Sequence, residues 1–278
     1  MEYDNRIVAF IDILGFEGIL AKTQYRSIDN ELLDNPDYIV HLHNVFLRIR
    51  DLLGVEEQLE GVAVSRRVTQ FSDSIVISFE ISDEPIEFIY LLGEFLHLTY
   101  ELLKSKILIR GGISHGAMIH TEKVLFGPAL VRAYFAESKA AVSPRIVLPQ
   151  SLYDKDSEYR VQLGNISNSG MELNDLIEKD EDDFYYLDYF DKCQKPELGI
   201  FASDDEYIEH IIRLKEIIIE GLKTTKPGLY SKYGWMKTKW NRTVINCKSS
   251  LKQDSYNTNG RQDLASFFLS QSLIETSM

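Results

Sequence analysis

Residues 6 to 13 read Arg-Ile-Val-Ala-Phe-Ile-Asp-Ile, a short apolar run with one carboxylate, Asp12, beside its end. So short a run, rich in Ile and Val, suits a buried central strand. A carboxylate at the end of an apolar strand is expensive unless it is paired or metal-bound. Leu14-Gly15-Phe16 follows at once, and the glycine permits a tight turn. The chain therefore opens on a core strand that delivers an acid to one edge of a sheet.

The downstream pattern predicts what surrounds that strand. Val40, Val45, Phe46, Ile49 and Leu53 recur at helical spacing after Pro36. Gly61 opens a second strand over Val62 to Phe71, Ser72-Asp73-Ser74 is a turn, and Ile75 to Phe79 is the next strand, together a hairpin signal. Ser82-Asp83-Glu84-Pro85 starts a helix that runs to about Lys104, with acids near the positive end of its dipole. Lys106 to Ile113 reads as a strand, and Ala117 to His120 as its hairpin partner across Ser114-His115-Gly116. Gly127-Pro128 begins a helix over Ala129 to Ala141; Pro144 ends it and Arg145 to Leu148 returns as a strand. The order β-α-β-β-α-β-β-α-β predicts an α+β fold, an antiparallel-rich sheet with helices on one face.

Beyond residue 150 the pattern changes. Residues 154 to 183 are polar and acidic, ending in Asp180-Glu181-Asp182-Asp183, and such a run reads as a solvated loop. Phe184 to Phe190 is an aromatic strand. Glu206 to Leu222 is a helix whose stripe from Ile208 to Ile218 serves core or dimer packing. Lys232 to Leu251 is helical, residues 252 to 260 are a polar link, and Leu264 to Leu273 is a short apolar helix. The expected organisation is a catalytic core over residues 1–150 and a mixed, largely helical extension over 151–278.

Composition narrows the partners. The net charge of -13 argues against nucleic acid, but not against a small anionic ligand held through a local metal site. The cysteines, Cys193 and Cys247, lie in no metal-ligand spacing and read as reduced thiols. No stretch is long and apolar enough to span a membrane, and the N-terminus lacks a basic leader. The expectation is a soluble, cytoplasmic protein.

The chemistry lies with Asp12 and Asp73. In a βαββ arrangement the first strand lies beside the hairpin, so both carboxylates converge at one sheet edge. With the Ile13 carbonyl they would hold Mg2+ or Mn2+, leaving positions open for triphosphate oxygens. The amides of the Leu14-Gly15-Phe16 turn would meet phosphate. Taken alone, Asp73 is equally a turn residue bonded to its own backbone.

Phe10-Ile11-Asp12-Ile13-Leu14-Gly15-Phe16, Phe71-Ser72-Asp73-Ser74 and Arg110-Gly111-Gly112-Ile113-Ser114-His115-Gly116 resemble, in that order, the metal-binding and following strands of class III nucleotidyl cyclases. With the run from Phe126 to Tyr134, Ser143-Pro144-Arg145-Ile146, and Tyr233-Gly234-Trp235 with Asn241, the chain is similar to the pyrimidine cyclases of the Pycsar antiphage systems. The resemblance implies a ferredoxin-like βαββαβ core and two divalent cations, Mg2+ or Mn2+, per site. It implies head-to-tail homodimers with sites composed across the interface, and cyclisation of UTP to 3′,5′-cyclic UMP and pyrophosphate, the product switching on a downstream effector. CTP as substrate, or a degenerate nucleotide sensor, are the alternatives.

The match has gaps. The family's ribose-orienting Asn and transition-state Arg fall on Val131 and Phe135, leaving Arg132 as the substitute cation, or else facing solvent or paired with Glu137. The purine-reading Lys and Asp fall on Thr69 and Val124, which fits a smaller base. Arg67 meets base or phosphate, or else solvent; Tyr134 stacks on a pyrimidine, or else packs in the core. His115 reads as a turn residue. Lys237 and Lys239 either reach the triphosphate or face water.

Overall fold

The computed structural model describes residues 2–54, 65–81, 86–149, 175–191, 199–252 and 262–275. In chain order its elements are β1 (Asp4–Ile13), α1 (Phe16–Leu20), β2 (Gln24–Arg26), β3 (Leu32–Asp34), α2 (Pro36–Leu52), β4 (Arg67–Phe71), β5 (Ser74–Glu80) and α3 (Ile86–Lys104). There follow β6 (Ile109–His120), β7 (Leu125–Phe126), α4 (Pro128–Phe135), β8 (Ile146–Leu148), β9 (Ile177–Lys179), β10 (Tyr185–Leu187), α5 (Asp204–Gly221), α6 (Pro227–Lys252) and α7 (Gln262–Ser270). The main sheet runs β4-β5-β1-β6-β8-β10-β9, with β7 paired to β6. Its pairs are antiparallel except β6 with β8, so the fold is α+β with a mostly antiparallel sheet.

β1 is the central strand. Arg6 to Asp12 pair with β5, and Asp4 to Ile13 pair with β6. Its alternation divides the core. Ile7, Ala9, Ile11 and Ile13 join the large cluster formed with α2, α3, α5, α6 and α7. Val8 and Phe10 point the other way, against Ala129 and Ala133 of α4. Helices thus cover both faces, not one: both sides of β1 are apolar, and each needs a lid.

β6 is one twelve-residue strand rather than a hairpin bent at His115. The reason is β1, whose ten paired residues template a straight partner through Ser114-His115-Gly116. Gly116 absorbs the local irregularity at φ 128. α2 starts as expected, with Pro36 in its first turn and the Asn35 side chain accepting from the Tyr38 amide. Its buried stripe is Leu42, Val45 and Ile49, while Val40 is exposed. The helix starting signal at 82–85, the strand opening at 61–64, Cys193 and most of the acidic loop lie outside the described residues.

The segment after residue 174 is built into the same core. α5 carries a capping box: the Ser203 hydroxyl accepts from the Glu206 amide and Glu206 accepts from the Ala202 amide. Tyr207, Ile211, Leu214 and Ile218 of α5 share the large cluster with Trp240 of α6 and Phe268 of α7. The acidic run is not all solvated. Asp180 is buried and accepts from Lys239, Arg145 and the Trp235 indole; Asp182 also accepts from Arg145. A buried anion persists only with such partners. Lys239 is therefore a core cation, not an exposed lysine, and Asn241 ties the C-terminal segment down through both Ile274 backbone groups. Cys247 is buried. No helix of the described residues is long and apolar enough to cross a membrane.

Two outcomes follow for stability. Asp180→Ala strands the Arg145 and Lys239 charges, and a loss of roughly 3–5 kcal/mol is expected in urea unfolding. Burial pushes the His210 imidazole down to about 4 from its ordinary 6.5, and its Nδ1 has no hydrogen-bond partner among the described residues. Between those values the unfolded chain binds the proton and the folded one does not. Stability therefore falls as pH drops from about 6.5 towards 4. His120, also pushed down to about 4, adds to the same slope. His210→Gln should flatten part of it in urea midpoints measured across that range.

Candidate functional site

Asp12 lies in register with Ser74 on one side and Arg110 on the other. The β4–β5 hairpin turns through Ser72 and Asp73, with Ser72 held at φ 55. That left-handed residue costs about 1–2 kcal/mol for a non-glycine. The turn lets the Asp73 carbonyl accept from the Ile13 amide at 3.2 Å. This backbone bond clamps the hairpin tip to the end of β1 and sets Asp73 beside Asp12.

The electrostatics reflect that closeness. Burial, and next the Asp73 charge, raise the Asp12 carboxyl; Arg110 and Ser74 oppose them. Asp12 accepts only long bonds, 3.3 Å from the Ser74 hydroxyl and 3.3 and 3.4 Å from Arg110. The Asp73 side chain, half-buried, gains no hydrogen bond from the described residues. Among these residues no three or more His, Cys, Asp or Glu side chains form a metal cage. A cation at Asp12 and Asp73 would complete its shell with main-chain oxygen, water or ligand, a donor set that suits Mg2+ or Mn2+. Two weakly satisfied carboxylates at a sheet edge fit that requirement.

A third acid joins them. α4 ends in a turn of π-helix, Ala136–Ala140, that carries Glu137 inward to 2% exposure. π-turns are rare and gather at functional positions. Glu137 Oε1 lies 2.7 Å from Arg110 Nη2. Burial raises its carboxyl, Arg110 opposes, and Asp12 and Asp73 add to the rise. Lys232 of α6 shares this field: burial and Arg110 lower its ammonium while Asp12 raises it. Neither Glu137 nor Lys232 was legible as a site residue. Glu137 falls four residues after buried Ala133, but no local signal links it to Arg110 on β6, and Lys232 arrives from a distant helix.

The Arg110-Gly111-Gly112 motif has a packing explanation. A Cβ on Gly112 would stand 2.4 Å from the Ala133 carbonyl and 2.5 Å from the Glu137 amide. One on Gly111 would meet the Phe10 carbonyl at 2.8 Å. The glycines let β1, β6 and the π-turn approach closely, which brings Asp12, Arg110 and Glu137 together.

The remaining expected residues spread over the same sheet face. Phe71, Ser74 and Asp12 form one row across the sheet; Thr69, Val76 and Phe10 form the next, about 7 Å away; Arg67, Ser78 and Val8 form the third. Thr69 bonds His120 at 2.8 Å, and His120 bonds Ser78 at 2.8 Å. Arg67 lines a pocket of about 470 Å³ with Arg6, Glu80 and His120, away from the carboxylates. Tyr134 is exposed, its ring edge-on to Phe10 at 5.5 Å. Phe16 turns into the core against Phe46, so only the main chain of the Gly15–Phe16 turn faces outward. α1 begins there with no side-chain cap, leaving its first amides open.

Arg132 is elsewhere. Its guanidinium donates to the His115 carbonyl at 2.6 Å. That carbonyl lies five residues along β6 from Arg110, roughly 17 Å at strand spacing. Within one protomer Arg132 does not join the carboxylates. Val131 and Phe135 are exposed and apolar. The chain matches no protein-family model, and no curated protein is a significant match to it.

Gly112→Ala should lower stability by about 1–3 kcal/mol through forced backbone displacement. Gly93→Ala, in α3 with open space around the missing Cβ, should raise it by about 0.5–1 kcal/mol. Thermal melts of the pair check both signs.

Proposed function

We propose that the protein is a class III-type pyrimidine nucleotidyl cyclase that converts UTP to 3′,5′-cyclic UMP and pyrophosphate. The observation that carries this reading is the clamping of Asp73 beside Asp12 by the Ile13–Asp73 backbone bond. Asp12, Asp73 and the Ile13 carbonyl would hold two divalent cations, Mg2+ or Mn2+, which acidify the ribose hydroxyl and neutralise the triphosphate. The 3′-oxygen would attack the α-phosphorus, its proton passing to water, while the bond from the α-phosphorus to the pyrophosphate oxygen breaks and pyrophosphate leaves. Only placement and charge stabilisation are asked of the protein.

The rows on the sheet face give the nucleotide a direction. Triphosphate lies at the Asp12 row, near the open amides of α1 and the charge of Lys232. Sugar and base extend along the Phe10 and Thr69 row, where Tyr134 offers a ring face. Thr69, its hydroxyl backed by buried His120, presents a neutral polar group, which suits a pyrimidine edge better than a charged reader; CTP is the alternative substrate. Phe71, Val131, Tyr134 and Phe135 leave an exposed apolar surface beside these rows, which a second copy would cover. In such a homodimer Arg132 becomes available to the other copy's site. Signalling to a downstream effector through the product, and a cytoplasmic location in antiphage defence, complete the reading.

A second reading, nucleotide binding without turnover, is favoured by the apolar Val131 and Phe135 on α4. Incubation with each of the four NTPs and Mn2+, with pyrophosphate release as readout, separates the two. UTP or CTP should yield pyrophosphate and a cyclic monophosphate. Binding by calorimetry with no pyrophosphate favours the sensor. Asp73→Asn should cut turnover roughly a hundredfold or more while the melting profile persists; unchanged turnover would overturn the cation pair.

A further inference from the structure

The Asp12 site already holds a cation of its own. Arg110 bridges two carboxylates with one guanidinium: Nη2 is 2.7 Å from Glu137 Oε1 and 3.3 Å from Asp12 Oδ2, and Nε is 3.4 Å from Asp12 Oδ2. The two contacts differ in kind. Glu137 is nearly sealed from water, so losing Arg110 there would strand a buried acid. Its Oε1, despite the short ionic contact, receives no well-aligned hydrogen bond among the described residues. The Asp12 contacts are long and lie nearer to water, where an ion pair is worth little. Three carboxylates, Asp12, Asp73 and Glu137, face two cationic side chains, Arg110 and Lys232.

We propose that Arg110 is a displaceable counter-ion, tethered by Glu137, that neutralises Asp12 in the free protein and yields it to divalent cations arriving with the nucleotide. The inference rests on the reading of Asp12 and Asp73 as a cation pair. A doubly charged ion between the two aspartates outcompetes a singly charged guanidinium for Asp12 and repels it. Glu137 keeps Arg110 from leaving. The freed side of the guanidinium then lies next to incoming phosphate oxygens, to which its planar donors are matched. Arg110 is thus a counter-ion shared by Asp12 and Glu137 in the free state and held by Glu137 alone in the loaded one.

The test is Mn2+ binding to the full chain without nucleotide, read as free Mn2+ by electron paramagnetic resonance. Asp12→Asn sets the baseline. Arg110→Gln removes the competitor and should tighten Mn2+ about three- to tenfold; Glu137→Gln loosens the tether, drives Arg110 onto Asp12, and should weaken it by a similar factor. Arg110→Lys, whose ammonium should stay with the sealed Glu137, should also tighten binding and serves if Arg110→Gln does not fold. A purely structural bridge predicts weakening in all three. Equal affinities, or weakening with both Arg110 variants, would overturn the switch while leaving the cation pair standing. Wild type indistinguishable from Asp12→Asn would instead remove the cation pair, and the switch with it.

Discussion

Everything in this molecule is referred to β1, which is hydrogen-bonded along almost its whole length on both edges. A strand so placed has no freedom of register: a one-residue slip would turn Ile7, Ala9, Ile11 and Ile13 out of the main core. The same alternation fixes Val8, Phe10 and Asp12 on the opposite face. Asp12 is therefore not placed by contacts of its own side chain, which are long and weak. Its position follows from the packing of its neighbours, and its polar partners are free to change.

Close backbone approach is the second constraint. Three layers meet near Asp12: the sheet, the hairpin tip and the π-turn. Each meeting uses a conformation that ordinary residues resist, namely Ser72 in the left-handed region and the two glycines that replace side chains at Gly111 and Gly112. Strain and missing Cβ atoms cost stability, and the large apolar core, continuous from β1 to α7, offsets them.

That division explains what could be read from the sequence. β1, the hairpin and α2 were legible because their periodicity is local and their ends carry turn and cap residues. The Asp12–Asp73 neighbourhood was legible because sheet adjacency follows from hairpin order. The continuity of β6 was not, because Ser114-His115-Gly116 carries every local mark of a turn; the long pairing with β1 overrides it. Asp180 looked solvated because its partners, Arg145 and Lys239, are 35 and 59 residues away in sequence. Glu137 continues the inward row of Ala129 and Ala133 at four-residue spacing, but its partner Arg110 lies on β6, distant in sequence. The coverage of both sheet faces was missed because α4 is short and its contact residues, Ala129 and Ala133, are small.

The charge balance then bears on how a chain of net charge -13 would take a polyanion. Carboxylates outnumber cations at the candidate site, so bare nucleotide is repelled and bare metal meets Arg110. Each ligand alone would bind, but weakly. A cation brought with phosphate would bind better, because it would satisfy Asp12 and Asp73 and displace Arg110. Binding would then be strongly coupled between metal and nucleotide, each raising the other's affinity by the same factor. In that arrangement the weakness of the Arg110–Asp12 contact is what makes the site responsive, because a stronger pair would exclude the metal and a missing one would leave Glu137 buried without a charge.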